Sequence, residues 1–564
     1  MAAVVAAVAA CAVPASAQGH AVLERTVPER GASPATPPDE VALYFNEPVE
    51  ASFGAIRVFD AEGSEVETGE LQRPGGGSDA ISVSLPGELP DGGYTVTYRV
   101  ISADSHPISG GFVFSIGQGG QTQGATVSEL LEDSEAGDVT DVAFWVARFA
   151  GYLALGLAVG LAGFVLLVLR PAFRRLGEDS GAWAGATGTV ERRAGSLLLW
   201  VAAGGVLASI ATLVLQGATA AGTSFWSALD PDVIREVIDT RYGLIAVLRA
   251  AAFLLIGAVA LIRLPFPLLL LPIALLVAAP ALSGHASTQD PVALLFPANV
   301  VHVLAMGLWF GGLAALLTVL PAATRGLEPP ERSAALAACL ARFSPIALGS
   351  VLALVASGTV QSIVYLGPLA DLLDTGFGRA VLIKATLLIA LVGLGALNRR
   401  RLLPGLERVA ARREAPGQTG VLLRRSLRAE VLLIAGALGV TAALVASQPP
   451  ADAVSGPVSG SSTLGDAVLD YTVDPARPGS NEMHLYLFDA EDGSQFDSAK
   501  EVTASLEQAE MGIGPIEAEL RRAAPGHYVA PDAPFGVPGD WTVEIAMRVS
   551  RFSESRVTFE VPIK

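Results

Sequence analysis

Cysteine is almost absent from this chain: of 564 residues, only Cys11 and Cys339 carry a thiol. Cys11 falls in an N-terminal apolar stretch that reads as a removable leader, so the mature chain has no internal disulfide and must rely on its cores. Any metal site must therefore draw on histidine, methionine and carboxylates rather than on paired thiolates. Histidine is scarce too, and His20, His106, His285, His302, His484 and His527 are the full set. Nucleotide signatures are missing. Neither G-x-x-x-x-G-K-[ST] nor a phosphorylatable D-K-T-G occurs, which excludes an ATP-driven pump. No basic face appears outside a few arginine-rich loops, and this argues against a nucleic-acid partner.

What is abundant is apolar surface: 51% of residues are hydrophobic, which is membrane territory. The net charge of −18 hides a partition. Residues 20–140 hold 20 acids and 5 bases, and 449–564 hold 19 acids and 8 bases, whereas 141–448 hold 24 bases and 16 acids. Acidic flanks around a basic, apolar middle predict two exported domains on a membrane core with cytoplasmic arginine loops. The leader "MAAVVAAVAACAVPASA" ends in small residues, and a signal peptide is expected over 1–19. Cleavage fits after Ala17 or after Gly19, and the second cut makes His20 the first residue. Lipid attachment at Cys11 would leave His20 internal.

Residues 20–117 alternate short strand-like runs with turn clusters, as in "VALYFNEPV", "AIRVFDAEG" and "GGFVFSIG", and predict an Ig-like β-sandwich. A polar linker follows over 118–140. Apolar runs near 142–169, 195–217, 242–262, 265–283, 296–320, 343–365, 379–398 and 429–447 predict an all-α bundle of eight transmembrane helices across 141–447. Arginines crowd the loops after the first, fifth and seventh runs, which places both termini on the extracytoplasmic side of the cell membrane. A second linker, 448–465, leads to a small exported β-sandwich over 466–564.

All six histidines lie in the exported regions or near the outer ends of the predicted spans. In "YRVISADSHPISGGFVFSIG" a carboxylate and an imidazole, Asp104 and His106, stand two residues apart, which on an extended chain means one face. The plain alternative is a polar turn. His285 and His302 bracket the loop between the fourth and fifth spans, and Met306 follows His302 by one helical turn. Arg148, Arg249 and Lys384 sit within spans, where they can snorkel, pair with Asp141, Asp371 or Asp374, or hold an anionic ligand. Cys339 reads as an ordinary buried thiol.

"HAVLERTVPERG", "LYFNEPV" and "YRVISADSHPISGGFVFSIG" together resemble the CopC copper-resistance domain over almost all of 20–117. "RFAGYLALGLAVGLAGF", "TRYGLIAVLRA", "SGHAS", "NVVHVLAMGLWFGGL" and "GRAVLIKATLLIALVGLGALNRRR" resemble the CopD membrane family over about 141–447. The first resemblance implies one Cu(II) held by the α-amino group and ring of His20, the carboxylate of Asp104 and the ring of His106, with Glu47 of "FNEP" nearby. Nitrogen and carboxylate donors suit Cu(II). Residues 20–117 contain no methionine, so a methionine-rich Cu(I) site of the family type is absent. The second resemblance implies copper movement across the cytoplasmic membrane, with His285, His302 and Met306 as soft stops for Cu(I). In the last domain Met483 or His484, with Met511 and His527, offers a further soft copper site; Met483 and His484, adjacent on a strand, point to opposite faces.

Two functions of different class follow. The first is a copper-binding membrane transporter, not an enzyme, with copper ions and the lipid bilayer as its partners and no nucleotide. The second is a membrane redox protein, with His285 and His302 as axial ligands of haem b, or with a copper redox centre on the sandwich.

Overall fold

The computed structural model describes residues 21–563 except 22, 30–31, 33, 52–54, 61–62, 106, 118–136, 178–180, 223, 367–370, 446–457 and 491–494. The signal peptide expected over 1–19 lies outside the described residues, as do His20 and His106.

The N-terminal strands are β1 (Leu23–Val27), β2 (Glu40–Phe45), β3 (Val49–Glu50), β4 (Ile56–Phe59), β5 (Glu65–Val66), β6 (Ala80–Ser84), β7 (Gly92–Ser102) and β8 (Pro107–Ile116). One sheet has the order β1-β2-β6; in the other, β7 pairs with β8 along one edge and with β4 and β3 along the other. Alternating apolar residues of both sheets, among them Leu43, Ile81, Val96 and Phe114, close into one core, as a sandwich requires.

Among the described residues, eight apolar helices lie in the middle of the chain. They are α1 (Asp138–Leu176), α2 (Gly185–Ala221), α3 (Arg241–Leu261), α4 (Phe266–Leu282), α5 (Val292–Ala323), α6 (Pro329–Tyr365), α7 (Gly376–Ala411) and α8 (Gly417–Leu444). Seven are long and apolar enough to cross a membrane; α4, at 17 residues, is not. It begins in a 3-10 turn at Phe266–Leu269, behind a proline, and carries Pro280 in its last turn, so proline chemistry trims both ends. The long helices overrun the apolar runs. α6 begins at Pro329, some fourteen residues before its apolar run, because the capping box of Glu328 and Glu331 starts it in polar sequence.

At the centre of the bundle α1 and α5 meet through glycine. Gly156 and Gly160 on α1 face Gly307 and Gly311 on α5, and a Cβ on Gly311 would fall 2.6 Å from the Cα of Gly160. Two G-x-x-x-G stripes thus bring the helix backbones together, the small-residue packing that substitutes for hydrophobic drive within lipid. α5 also packs on α4, α6 and α8, which makes it the hub.

The C-terminal strands are β9 (Val458–Leu464), β10 (Ala467–Asp474), β11 (Gly479–Asp489), β12 (Glu501–Gln508), β13 (Ile513–Ala518), β14 (Arg521–Ala524), β15 (His527–Phe535), β16 (Gly539–Ser550) and β17 (Ser553–Ile563). They form two sheets, β14-β15-β11-β10-β9 and β13-β12-β16-β17, which bury one core around Trp541, Leu485, Leu506 and Val543.

Candidate metal centres

The β7–β8 hairpin ends its ladder at Ile101 and Pro107, and Asp104 sits in the turn between them. Residues 103–105 are not extended. Ser105 takes φ 74, left-handed space that a non-glycine residue rarely occupies, and its N–H donates to the carbonyl of Ser102 at 2.9 Å. The same-face spacing rule assumes extended chain, whereas Asp104 sits in a turn; His106 lies outside the described residues. Asp104 is only 1% exposed, with Ser102 Oγ donating to its Oδ1. A carboxylate this deep needs charged or hydrogen-bonding company.

Strand register supplies neighbours. β3 pairs with β7 as Val49 to Ser102 and Glu50 to Ile101, so Glu47, just before β3, and the Asp104 turn, just after β7, lie at the same end of that sheet. β1 pairs with β2 as Leu23 to Phe45, which brings the start of β1 to that same end of the sandwich. Ala21, the residue after His20, is buried in the core there. Arg73 fixes the backbone beside Glu47 by donating to the carbonyls of Val49 and Ser78 at 2.9 and 2.8 Å.

Within the helical bundle, His285 opens a short 3-10 turn directly after α4, and its ring meets Tyr365 of α6 edge-on with centroids 5.9 Å apart. His302 of α5 has its Nδ1 3.0 Å from Ser357 Oγ of α6 and lies against Gly358. Tyr365 and Ser357 are eight residues apart on one helix, about 12 Å of rise. The two imidazoles thus meet α6 about two turns apart, His302 at Ser357 and His285 at Tyr365. Between them Asn299 Nδ2 donates to Gln361 Oε1 at 3.3 Å, so residues 357, 361 and 365 of α6 present a polar seam to the histidines. Met306 turns elsewhere: it packs beside Gly156 of α1, where a Cβ would meet its Sδ at 3.2 Å.

The family model for the CopC domain matches residues 23–117, that for the copper resistance protein D-like N-terminal domain 139–295, and that for copper resistance protein D 337–444. Copper resistance protein D of Pseudomonas syringae pv. tomato is 31% identical over 310 residues, which are 53% of this chain and 93% of that protein. This chain belongs to the CopC–CopD copper-resistance family. The copper transport protein CutJ of Bacillus subtilis is 26% identical over 562 residues, 97% of this chain and 96% of its own. Copper resistance protein C of Escherichia coli is 30% identical over 107 residues, 18% of this chain and 84% of its own. Seven long apolar helices on a CopD frame make this a multi-pass membrane protein.

Other features of this CopC–CopD chain depart from expectation. Arg148 stacks over the Phe144 ring at 3.6 Å and Arg249 Nη2 donates to Thr212 Oγ1 at 2.7 Å, with no ion pair to Asp141 among the described residues. Each of these two arginines has local company within the bundle. The last domain does not assemble a soft site: Met483 is buried in the core and Met511 is 63% exposed in a turn after β12. It does unite His484 and His527, with Nδ1 of the first 3.0 Å from Nε2 of the second. Burial, and after it the His484 ring, push the His527 imidazole down to about 3, so it is neutral near pH 7. In the bundle, Asn398 donates to a buried carboxylate, Glu430, which Trp309 also bonds. Sequence reading passed over Glu430 inside an arginine-bearing segment, though an acid at membrane depth is itself the signal.

Proposed function

We propose that this protein captures Cu(II) outside the cytoplasmic membrane at its first sandwich and delivers copper through the helical bundle without nucleotide. One observation carries the reading: strand register draws the start of β1, Glu47 and the buried Asp104 turn to one end of the sandwich. His20, released by cleavage after Gly19, supplies its ring and α-amino group, Asp104 its carboxylate and His106 its ring; Glu47 flanks the ion. A buried carboxylate in a strained turn suits a fixed ligand, and an N/O donor set suits Cu(II). The domain limits 20–117, 141–447 and 466–564 belong to this proposal.

Copper then leaves for His285 and His302, which act as successive stops along the polar seam of α6, with Met306 a softer donor beyond. The names of CutJ and of copper resistance proteins C and D support copper as cargo. Staggered histidines suit a path better than the two axial positions of one haem, which must meet at one iron. Both termini lie outside the cytoplasm and α4 completes eight crossings; Ser462 should then label from outside and Gly417 only from inside. Paramagnetic resonance on the full chain tests capture. His106→Ala should lose nitrogen coupling from one equivalent of Cu(II), and an unchanged spectrum would remove the assignment.

A further inference from the structure

The outward face of the β14-β15-β11-β10-β9 sheet carries a cluster that the capture site leaves unused. Along β11, Met483, Leu485 and Leu487 enter the core, so Glu482, His484 and Tyr486 share the opposite face. β15 pairs with β11 as His527 to Tyr486, which sets the His527 ring on that face too. There the rings stack: Tyr486 and His527 have centroids 4.3 Å apart at 11°, and His484 and His527 5.3 Å apart at 17°. His484 and His527 are 7% and 4% exposed, on a face where polar side chains ordinarily meet water. Glu482 Oε1 stands 3.3 Å from His484 Nε2.

We infer that His484 Nδ1 and His527 Nε2 are cis ligands of a second Cu(II) site, oriented by Glu482. A carboxylate at Nε2 holds the His484 proton there and leaves the Nδ1 lone pair facing His527, the arrangement that metal-binding histidines use. In the metal-free protein the facing proton belongs to His527 Nε2; neutral His527 can carry it on Nδ1 instead and open both lone pairs to an ion. Bonds of about 2.0–2.1 Å to nitrogens 3.0 Å apart subtend about 95° at the ion. That is the cis angle of a tetragonal Cu(II) centre; a tetrahedral ion needs the nitrogens roughly 3.3 Å apart. With both methionines elsewhere, the donors are nitrogen and oxygen. On β10, Thr472 and Asp474 stand opposite His484 and Glu482.

The test uses the full chain in detergent, stripped with chelator, carrying His106→Ala so that the first-domain site is silent. Titrated with Cu(II), this protein should retain nitrogen-coupled copper, with two equivalent imidazoles resolved by pulsed resonance. Adding His527→Phe keeps a ring in the stack but removes the donor, and one equivalent should disappear. Adding Glu482→Gln should weaken that equivalent roughly 10–100-fold while both nitrogens still couple. Nitrogen-coupled copper of undiminished stoichiometry in His106→Ala/His527→Phe would overturn the assignment. So would coupling to fewer than two imidazoles in His106→Ala alone, a measurement that leaves the cluster unaltered. The capture site is counted separately, by the difference between wild type and His106→Ala, so either site can fail without the other.

Discussion

Replacing Gly311 by alanine should damage the bundle far more than its single added methyl suggests. The new Cβ would lie 2.6 Å from the Cα of Gly160 and 2.9 Å from its nitrogen, and both obstacles are backbone. No rotamer change relieves such a clash, so α1 and α5 must separate by about 1 Å to restore van der Waals distance. A gap of that size forfeits roughly a quarter to a half of each well along the seam. Overpacking ordinarily costs about 1–3 kcal/mol, and a backbone obstacle belongs at the upper end of that range. Against this stands the helical gain of alanine over glycine, up to about 1 kcal/mol. Gly349→Ala is the matched control, since nothing lies within 4 Å of a Cβ there. Thermal unfolding of the purified protein in one detergent should place Gly311→Ala and Gly160→Ala several degrees below Gly349→Ala, which should equal or exceed wild type. Equal midpoints for the three variants would refute the close-packed glycine seam.

His302→Ala should abolish copper accumulation by cells while the first sandwich still binds Cu(II), and wild-type accumulation would make His302 structural. Ser357→Ala removes the hydroxyl 3.0 Å from His302 Nδ1 and should cost about 1–3 kcal/mol in thermal stability if that nitrogen is left unsatisfied. Asp104→Asn should weaken Cu(II) binding in a titration while the core melts as before, and binding by the wild type should fall in acid as the amino and imidazole ligands take up protons. In chelator, the last domain should lose stability as pH falls from about 6.5 towards 3. The folded His527 value is lowered, so its contribution is complete above the unfolded value and is lost below it. His527→Phe should flatten that profile.

Much of the architecture was legible because its signals are local. Period-two alternation pointed to the β-rich regions at both ends, and apolar length pointed to the long helices of the middle. The Asp104 turn announced itself through neighbouring residues. What escaped depends on register between distant segments. His484 and His527 are 43 residues apart, and only the β11–β15 pairing makes them adjacent; read along the chain, Met483 and Met511 looked equally eligible. The glycines at 156, 160, 307 and 311 have readable spacing, but nothing local says that the two stripes face each other. The placement of His285 is not local either. It follows from where α4 stops, and that depends on proline at both ends of a short helix.

That shortness has a consequence for the surrounding lipid. An α4 of 17 residues spans about 25 Å, against about 30 Å of hydrocarbon in an average bilayer. If it crosses, the leaflets must pinch towards it or its ends must be served by water and headgroups, at a fraction of a kcal/mol for each ångström of mismatch. His285, set immediately after its last turn, then rests below the ordinary plane of the headgroups yet within reach of solvent. A dimple of this kind shortens the dielectric barrier a cation has to cross, and it makes the protein sensitive to acyl-chain length. Reconstituted in thin bilayers the bundle should relax; in thick ones the dimple deepens, and the region around His285 becomes the place where the membrane itself pushes back.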